Sequence, residues 1–139
     1  MPLTNFGAIL NFAEALERQD MAFYDEAAAA ADSQALGNLF SALARENKKH
    51  IALVQRTRRE NVTEMILEPI RDFTRTAYQT EPEDMAGMDS AAAVSLETRA
   101  LRYYRDAAEK IQALPEVSRA LKTLAKKRSR RLERLESEA

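Results

Sequence analysis

A chain of 139 residues, 45% hydrophobic and 31% charged, with only three glycines and four prolines, suits one helix-rich domain able to bury its own core. It has no cysteine, which excludes disulfides, thiolate metal sites and cysteine nucleophiles. A formal net charge of −1 gives no global field that would favour nucleic acid or an anionic membrane.

The N-terminal "MPLTNFGAIL" lacks the basic region and long apolar run of a signal peptide. No apolar run approaches the ~20 residues of a membrane span. A cytoplasmic protein is expected, with residues 1–139 forming a single domain. Four helices are predicted. Helix 1 starts near Thr4, a reasonable N-cap, and runs to about Ala31; its inward stripe includes Leu10, Ala13, Glu17, Tyr24 and Ala27. "DSQ" breaks it, and Ser33 can cap helix 2, which carries Phe40, Leu43, Asn47, His50 and Val54 at heptad spacing. A longer connection runs from about Arg58 to Met88. In it Asn61 and Glu64 form a capping-box pattern for a short helix, Pro69 interrupts that helix, and "QTEPEDMAGMDS" reads as exposed loop. Helix 3 starts near Asp89–Ser90 and carries Ala93, Glu97, Ala100, Tyr104, Ala107 and Ile111. Pro115 suits the first turn of helix 4, which runs to the C-terminus with Leu121, Leu124, Arg128, Arg131 and Leu135 on its heptad stripe.

The two halves repeat. "ERQDMAFYDEAA" from Glu17 matches "ETRALRYYRDAA" from Glu97, and "LARENKKHIALV" from Leu43 matches "LAKKRSRRLERL" from Leu124, with one extra residue in the second turn. The expected fold is all-α: two repeated antiparallel hairpins in a four-helix bundle, with a long crossover between helices 2 and 3. A pseudo-twofold axis would bring equivalent residues together near the centre.

Glu17, Asn47, His50, Glu97, Arg128 and Arg131 then share one level of the bundle, a polar layer in an Ala/Leu/Phe/Tyr core. Buried arginine is rare without a partner, so Arg128 and Arg131 are expected to face Glu17 and Glu97. Two alternatives stand beside this. A register shift of one residue would turn Glu46 inward in place of Asn47, making Glu46 and His50 a ligand pair one turn apart. The arginines could instead snorkel outward as solvated surface. Tyr24 and Tyr104 read as core aromatics whose hydroxyls reach the layer.

With these residues the chain resembles the ferritin-like superfamily, and within it the rubrerythrin-type proteins. Glu17 with Tyr24 seven residues on, followed by "LFSALARENKKHIALV", carries the closest likeness. The resemblance implies two iron atoms held by a Glu from each of two helices and a Glu-x-x-His pair from each of the other two. The single glutamates fall on Glu17 and Glu97, the first pair on Asn47 and His50, the second on Arg128 and Arg131. Only Glu17, His50 and Glu97 keep a ligand type, because arginine does not deprotonate and Asn47 is a weak neutral donor.

Two carboxylates are therefore expected to balance two guanidiniums with no metal, as a buried salt-bridge layer in place of a lost di-iron centre. The function that follows is non-catalytic: a structural or interaction protein pairing with itself as a homodimer or with a related subunit. "AAAAA" at 27–31 would permit close helix approach. The rival reading is a residual iron- or metal-binding oxidoreductase using Glu17, Glu46, His50 and Glu97. Without cysteine it would lack the rubredoxin module that the resemblance implies and would need an outside electron donor. There is no Gly-rich phosphate loop, Ser-His-Asp constellation or zinc spacing. The basic run "KKRSRR" at 126–131 is followed by Glu133, Glu136 and Glu138 and suits a helix C-terminus, so nucleic acid and membrane are not expected as partners.

Overall fold

The computed structural model describes residues 6–61, 73–80, 85 and 87–138. Four long helices dominate the described residues: α1 (Phe6–Ala30), α2 (Gln34–Glu60), α3 (Ser90–Lys110) and α4 (Pro115–Glu138). The caps follow the sequence. Ser33 Oγ accepts from the Leu36 N–H at 3.1 Å, and Asp89 Oδ1 accepts from the Ala92 N–H at 3.0 Å, satisfying donors that a helix start leaves unpaired. Pro115 opens α4, where its missing N–H costs nothing. The turn between α3 and α4 is one residue longer than that between α1 and α2, as the repeat requires.

Within each hairpin the helices are antiparallel. Moving up α2 from Asn47 to Arg58, partners move down α1 from Glu17 to Asn11. Between hairpins, α1 lies against α3, where Tyr24 meets Glu97 and Tyr104 meets Glu17, and α2 lies against α4, where Glu46 meets Arg134. These pairs are antiparallel too. With α1 antiparallel to both α2 and α3, the consecutive helices α2 and α3 must run parallel. Their connection therefore has to travel the length of the bundle, which accounts for the long crossover.

Part of that crossover joins the core. A short 3₁₀ turn (Arg75–Tyr78) was not anticipated; Phe73 and Tyr78 beside it are buried, and the Phe73 ring stacks on Tyr103 at 5.7 Å. Asn61 closes the C-terminus of α2, its Nδ2 donating to the Thr57 carbonyl at 2.8 Å. The rest of the anticipated capping box and Pro69, like Thr4, lie outside the described residues. "QTEPEDMAGMDS" is not wholly exposed, because Met85 and Met88 pack against the core.

The apolar core forms two clusters. One gathers Leu10, Ala13, Val54, Ala100, Tyr104, Leu121 and Leu124; the other gathers Tyr24, Ala27, Phe40, Leu43, Ala93, Leu96 and Leu135. Between the two clusters every helix buries polar side chains: Glu17 and Asp20, Asn47 and His50, Glu97 and Arg99, Arg128 and Arg131. The bundle is two hydrophobic plugs with a charged layer between them, and each fully buried Leu, Val or Phe in the plugs contributes roughly 1.5–3 kcal/mol.

Candidate functional site: a buried ion-pair layer

The heptad stripes deliver Glu17, Asn47, His50, Glu97, Arg128 and Arg131 to this layer, each 0–3% exposed. Arg128 lies at its centre. Its Nη1 donates to Glu97 Oε1 at 2.8 Å, and its Nη2 lies 2.8 Å from both Glu17 Oε2 and Asp20 Oδ2. Shared between two carboxylates, Nη2 aims a hydrogen bond squarely at neither, so these contacts are ion pairs without hydrogen-bond alignment. Arg131 Nη2 donates to Glu97 Oε2 at 2.9 Å and to Asn47 Oδ1 at 3.0 Å. The Arg131 guanidinium also lies over the Tyr24 ring, 5.3 Å from its centroid, a cation–π contact in a desolvated setting.

The repeat shows in the tyrosines. Tyr24 donates to Glu97 Oε2 and Tyr104 donates to Glu17 Oε2, both at 2.5 Å. Each tyrosine serves the glutamate of the other hairpin, which a pseudo-twofold axis between α1 and α3 demands. The α2 side departs from symmetry. Asn47 Nδ2 donates to Glu17 Oε1 at 2.6 Å while its Oδ1 receives Arg131. An amide, donor at one end and acceptor at the other, can bridge a carboxylate and a guanidinium in this way, which an ionised glutamate at this position could not. His50 Nδ1 lies 3.1 Å from the same Glu17 oxygen, a hydrogen bond that needs the proton on Nδ1.

Two members were missed in the sequence. Asp20 is fully buried and accepts from Arg99 Nη2 at 2.7 Å, besides its contact with Arg128; Arg99 is itself buried. The layer is therefore three carboxylates against three guanidiniums, correcting the expected two against two. Asp20 carried a legible signal: with Ala13, Glu17 and Tyr24 it continues the alternating four- and three-residue spacing of the α1 stripe. Arg99 carried none, being two residues past Glu97 and off the α3 heptad.

The alternatives resolve as follows. Glu46 does not face the core; it is partly exposed and pairs with Arg134 of α4 at 2.7 Å, while Asn47 is fully buried. Arg128 and Arg131 do not snorkel outward. The run 126–131 is no single basic patch, because its helix turns Lys126 and Lys127 to solvent and Arg128 and Arg131 into the core.

Charge states follow from these contacts. Burial alone would raise the Glu17 carboxyl, but the Arg128 guanidinium and the His50 and Tyr104 hydrogen bonds outweigh it and hold Glu17 well below the usual carboxylate range. Glu97 is lowered too, with Arg128 and Arg131 overcoming burial. Asp20 goes the other way. Burial pushes it up to about 6; Arg99 and Arg128 oppose the rise, and the like charges of Glu97 and Glu17 add to it. Burial disfavours the Arg128 charge, yet Glu17, Glu97 and Asp20 together hold it protonated far above its ordinary range. Both tyrosines are raised by burial and by the carboxylates they serve, so they are neutral donors.

Every carboxylate oxygen in the layer faces a guanidinium, amide, imidazole or phenol. Among the described residues no three His, Asp or Glu side chains converge at a spacing that could hold a metal ion. No helix of the described residues is long and apolar enough to cross a membrane. No curated protein and no solved structure matches the chain. A family model, the ferritin-like domain, matches residues 7–131, which reach into all four helices and include every residue of the layer. The helical repeat, the crossover and this match agree: the chain belongs to the ferritin-like domain family.

Proposed function

We propose that this protein is a rubrerythrin-type member of its family in which an ion-pair layer stands where a di-iron centre would lie, and that it works as a non-catalytic structural or interaction protein. The observation that carries the reading is Arg128. Its guanidinium lies between Glu17, Asp20 and Glu97, 2.8 Å from each, with no exposed surface on any of them. Two dications there would have to displace a cation that cannot lose its proton, and Arg131 would remain 2.9 Å from Glu97. The donor set does not fit a di-iron group.

The two glutamates are poor for acid–base work. Glu17 and Glu97 are held ionised by their guanidiniums, and a general acid needs a proton to give near neutral pH. A balanced network would supply specificity of packing, since its ion pairs form only in this helix register. The experiment is metal analysis of protein purified after growth in iron, with a turnover assay using ferrous iron and peroxide. Iron well below one atom per chain and turnover no faster than buffer are expected. About two irons per chain, or turnover abolished by Glu17→Ala or His50→Ala, would overturn the reading.

A further inference from the structure

The outer face shared by α2 and α4 is rich in cations. Although the whole chain is near neutral, α2 carries six Lys/Arg against two Glu, and α4, leaving out the buried Arg128 and Arg131, six against four. Between these helices runs a groove of about 780 Å³. Lys49, Arg56 and Arg59 of α2 and Lys127, Arg130 and Arg134 of α4 line it. Arg134 is paired with Glu46, and Arg56 lies 3.7 Å from Glu60. Lys49, Arg59, Lys127 and Arg130 have no ion-pair partner among the described residues, so like charges face one another across the groove uncompensated. Such an arrangement costs stability unless something anionic enters it.

Arg131 links this groove to the ion-pair layer. Arg131, only 1% exposed, forms part of the groove wall, and its Nε and Nη1 have no hydrogen-bond partner. Buried charged donors are rarely left unmade in a native layer. The orphan donors therefore belong to the side chain that joins the groove to the ion-pair layer.

We infer that the α2–α4 groove is a binding site for a small, multiply phosphorylated anion. From Lys49 to Arg59 the cations extend over about 15 Å at 1.5 Å per residue, so a single phosphate would satisfy only some of them. Arginine forks match phosphate oxygens two at a time, and lysine serves as a point charge beside them. An oligophosphate carries charge at every repeat, which suits cations on both walls. An extended acidic peptide would turn alternate carboxylates away. Nucleic acid is disfavoured because no Phe, Tyr or Trp lines the groove, leaving bases no ring to stack on.

The test is calorimetric titration of the full chain with sodium tripolyphosphate at low salt. Two double variants of equal net charge are compared: Lys49→Gln with Lys127→Gln inside the groove, and Arg45→Gln with Lys126→Gln on the same helices outside it. All four side chains are exposed, so folding should be retained; should the first pair misfold, Arg59→Gln with Arg130→Gln replaces it. Saturable binding to the parent is expected, weakened roughly tenfold or more by the groove pair and about twofold or less by the outer pair. Absence of saturable binding, or equal weakening by both pairs, would overturn the assignment. So would groove-dependent binding of a short oligouridylate that is tighter than that of tripolyphosphate, since the occupant would then be nucleic acid.

Discussion

Arg128 is the residue on which the layer depends, because three carboxylates share it. Arg128→Ala should destabilise the protein by roughly 3–5 kcal/mol, since it leaves buried carboxylates without their counter-ion. Urea unfolding measures this, and a loss within about 0.5 kcal/mol, typical of surface positions, would contradict the burial described. Asp20 makes a separate prediction. Its carboxyl rises from an ordinary 3.8 to about 6 in the folded protein. Between those two pH values the folded state binds more protons than the unfolded one, so stability falls as pH rises through the window. Above about 6 the loss is complete and of the order of 3 kcal/mol. Glu17 and Glu97 act oppositely: their contribution is fully present above about 4.5 and is lost only as pH falls towards their lowered folded values. From pH 7 to pH 5, stability should therefore gain from Asp20 without losing much from the glutamates. Asp20→Asn should remove that gain, seen as the difference between urea midpoints at the two pH values. His50 is present in both proteins and cancels from the comparison.

At the scale of the elements, α2 illustrates how ends and interior are separately tuned. Ser33 caps its start and Asn61 its end, with Arg58 and Arg59 in the last turn complementing the helix dipole. Gly37 in its second turn has no such role. It does not take a positive φ, and a Cβ there would meet the Ala28 carbonyl oxygen at 3.4 Å and the Ala31 Cβ at 3.6 Å, ordinary contacts. Gly37→Ala should thus stabilise the protein by about 0.5–1 kcal/mol through helix propensity, read as a higher melting temperature. Ser33→Ala should cost about 1 kcal/mol through the lost cap. If the two changes were equal in sign, local helix energetics would not govern this end of α2.

At the scale of the molecule, the ancestry of the layer can be tested by rebuilding it. Asn47→Glu, Arg128→Glu and Arg131→His together restore the ligand types of a rubrerythrin-type centre at all six positions. The metal-free triple variant should melt well below the parent, because buried carboxylates then repel one another with only Arg99 left among the layer's guanidiniums. Ferrous, manganous or zinc ion should raise its melting temperature, since an ion bound only to the folded state stabilises it by mass action. The parent should show no such rise. A triple variant indifferent to all three ions would mean that the six positions do not converge as a ligand set, and the proposed replacement of a metal centre would fall with it.

Heptad spacing is local information, so the chain alone determined four helices, their starts at Ser33, Asp89 and Pro115, and the inward faces bearing Glu17, His50 and Glu97, while the burial of the two arginines was settled by packing. Spacing also showed that the hairpins repeat, and from the repeat came the bundle and its crossover. It could not choose between Glu46 and Asn47, which differ by one helical step of 100°. Packing chose, because Arg134 of α4 draws Glu46 to the rim and Asn47 alone can bridge Glu17 to Arg131. Nor could spacing show Arg99 reaching across to Asp20, seventy-nine residues away, since only the apposition of α1 and α3 brings them within 2.7 Å. The groove between α2 and α4 is of the same kind. Its cations are scattered along two helices far apart in the chain, and charges become a site only when antiparallel packing sets them face to face.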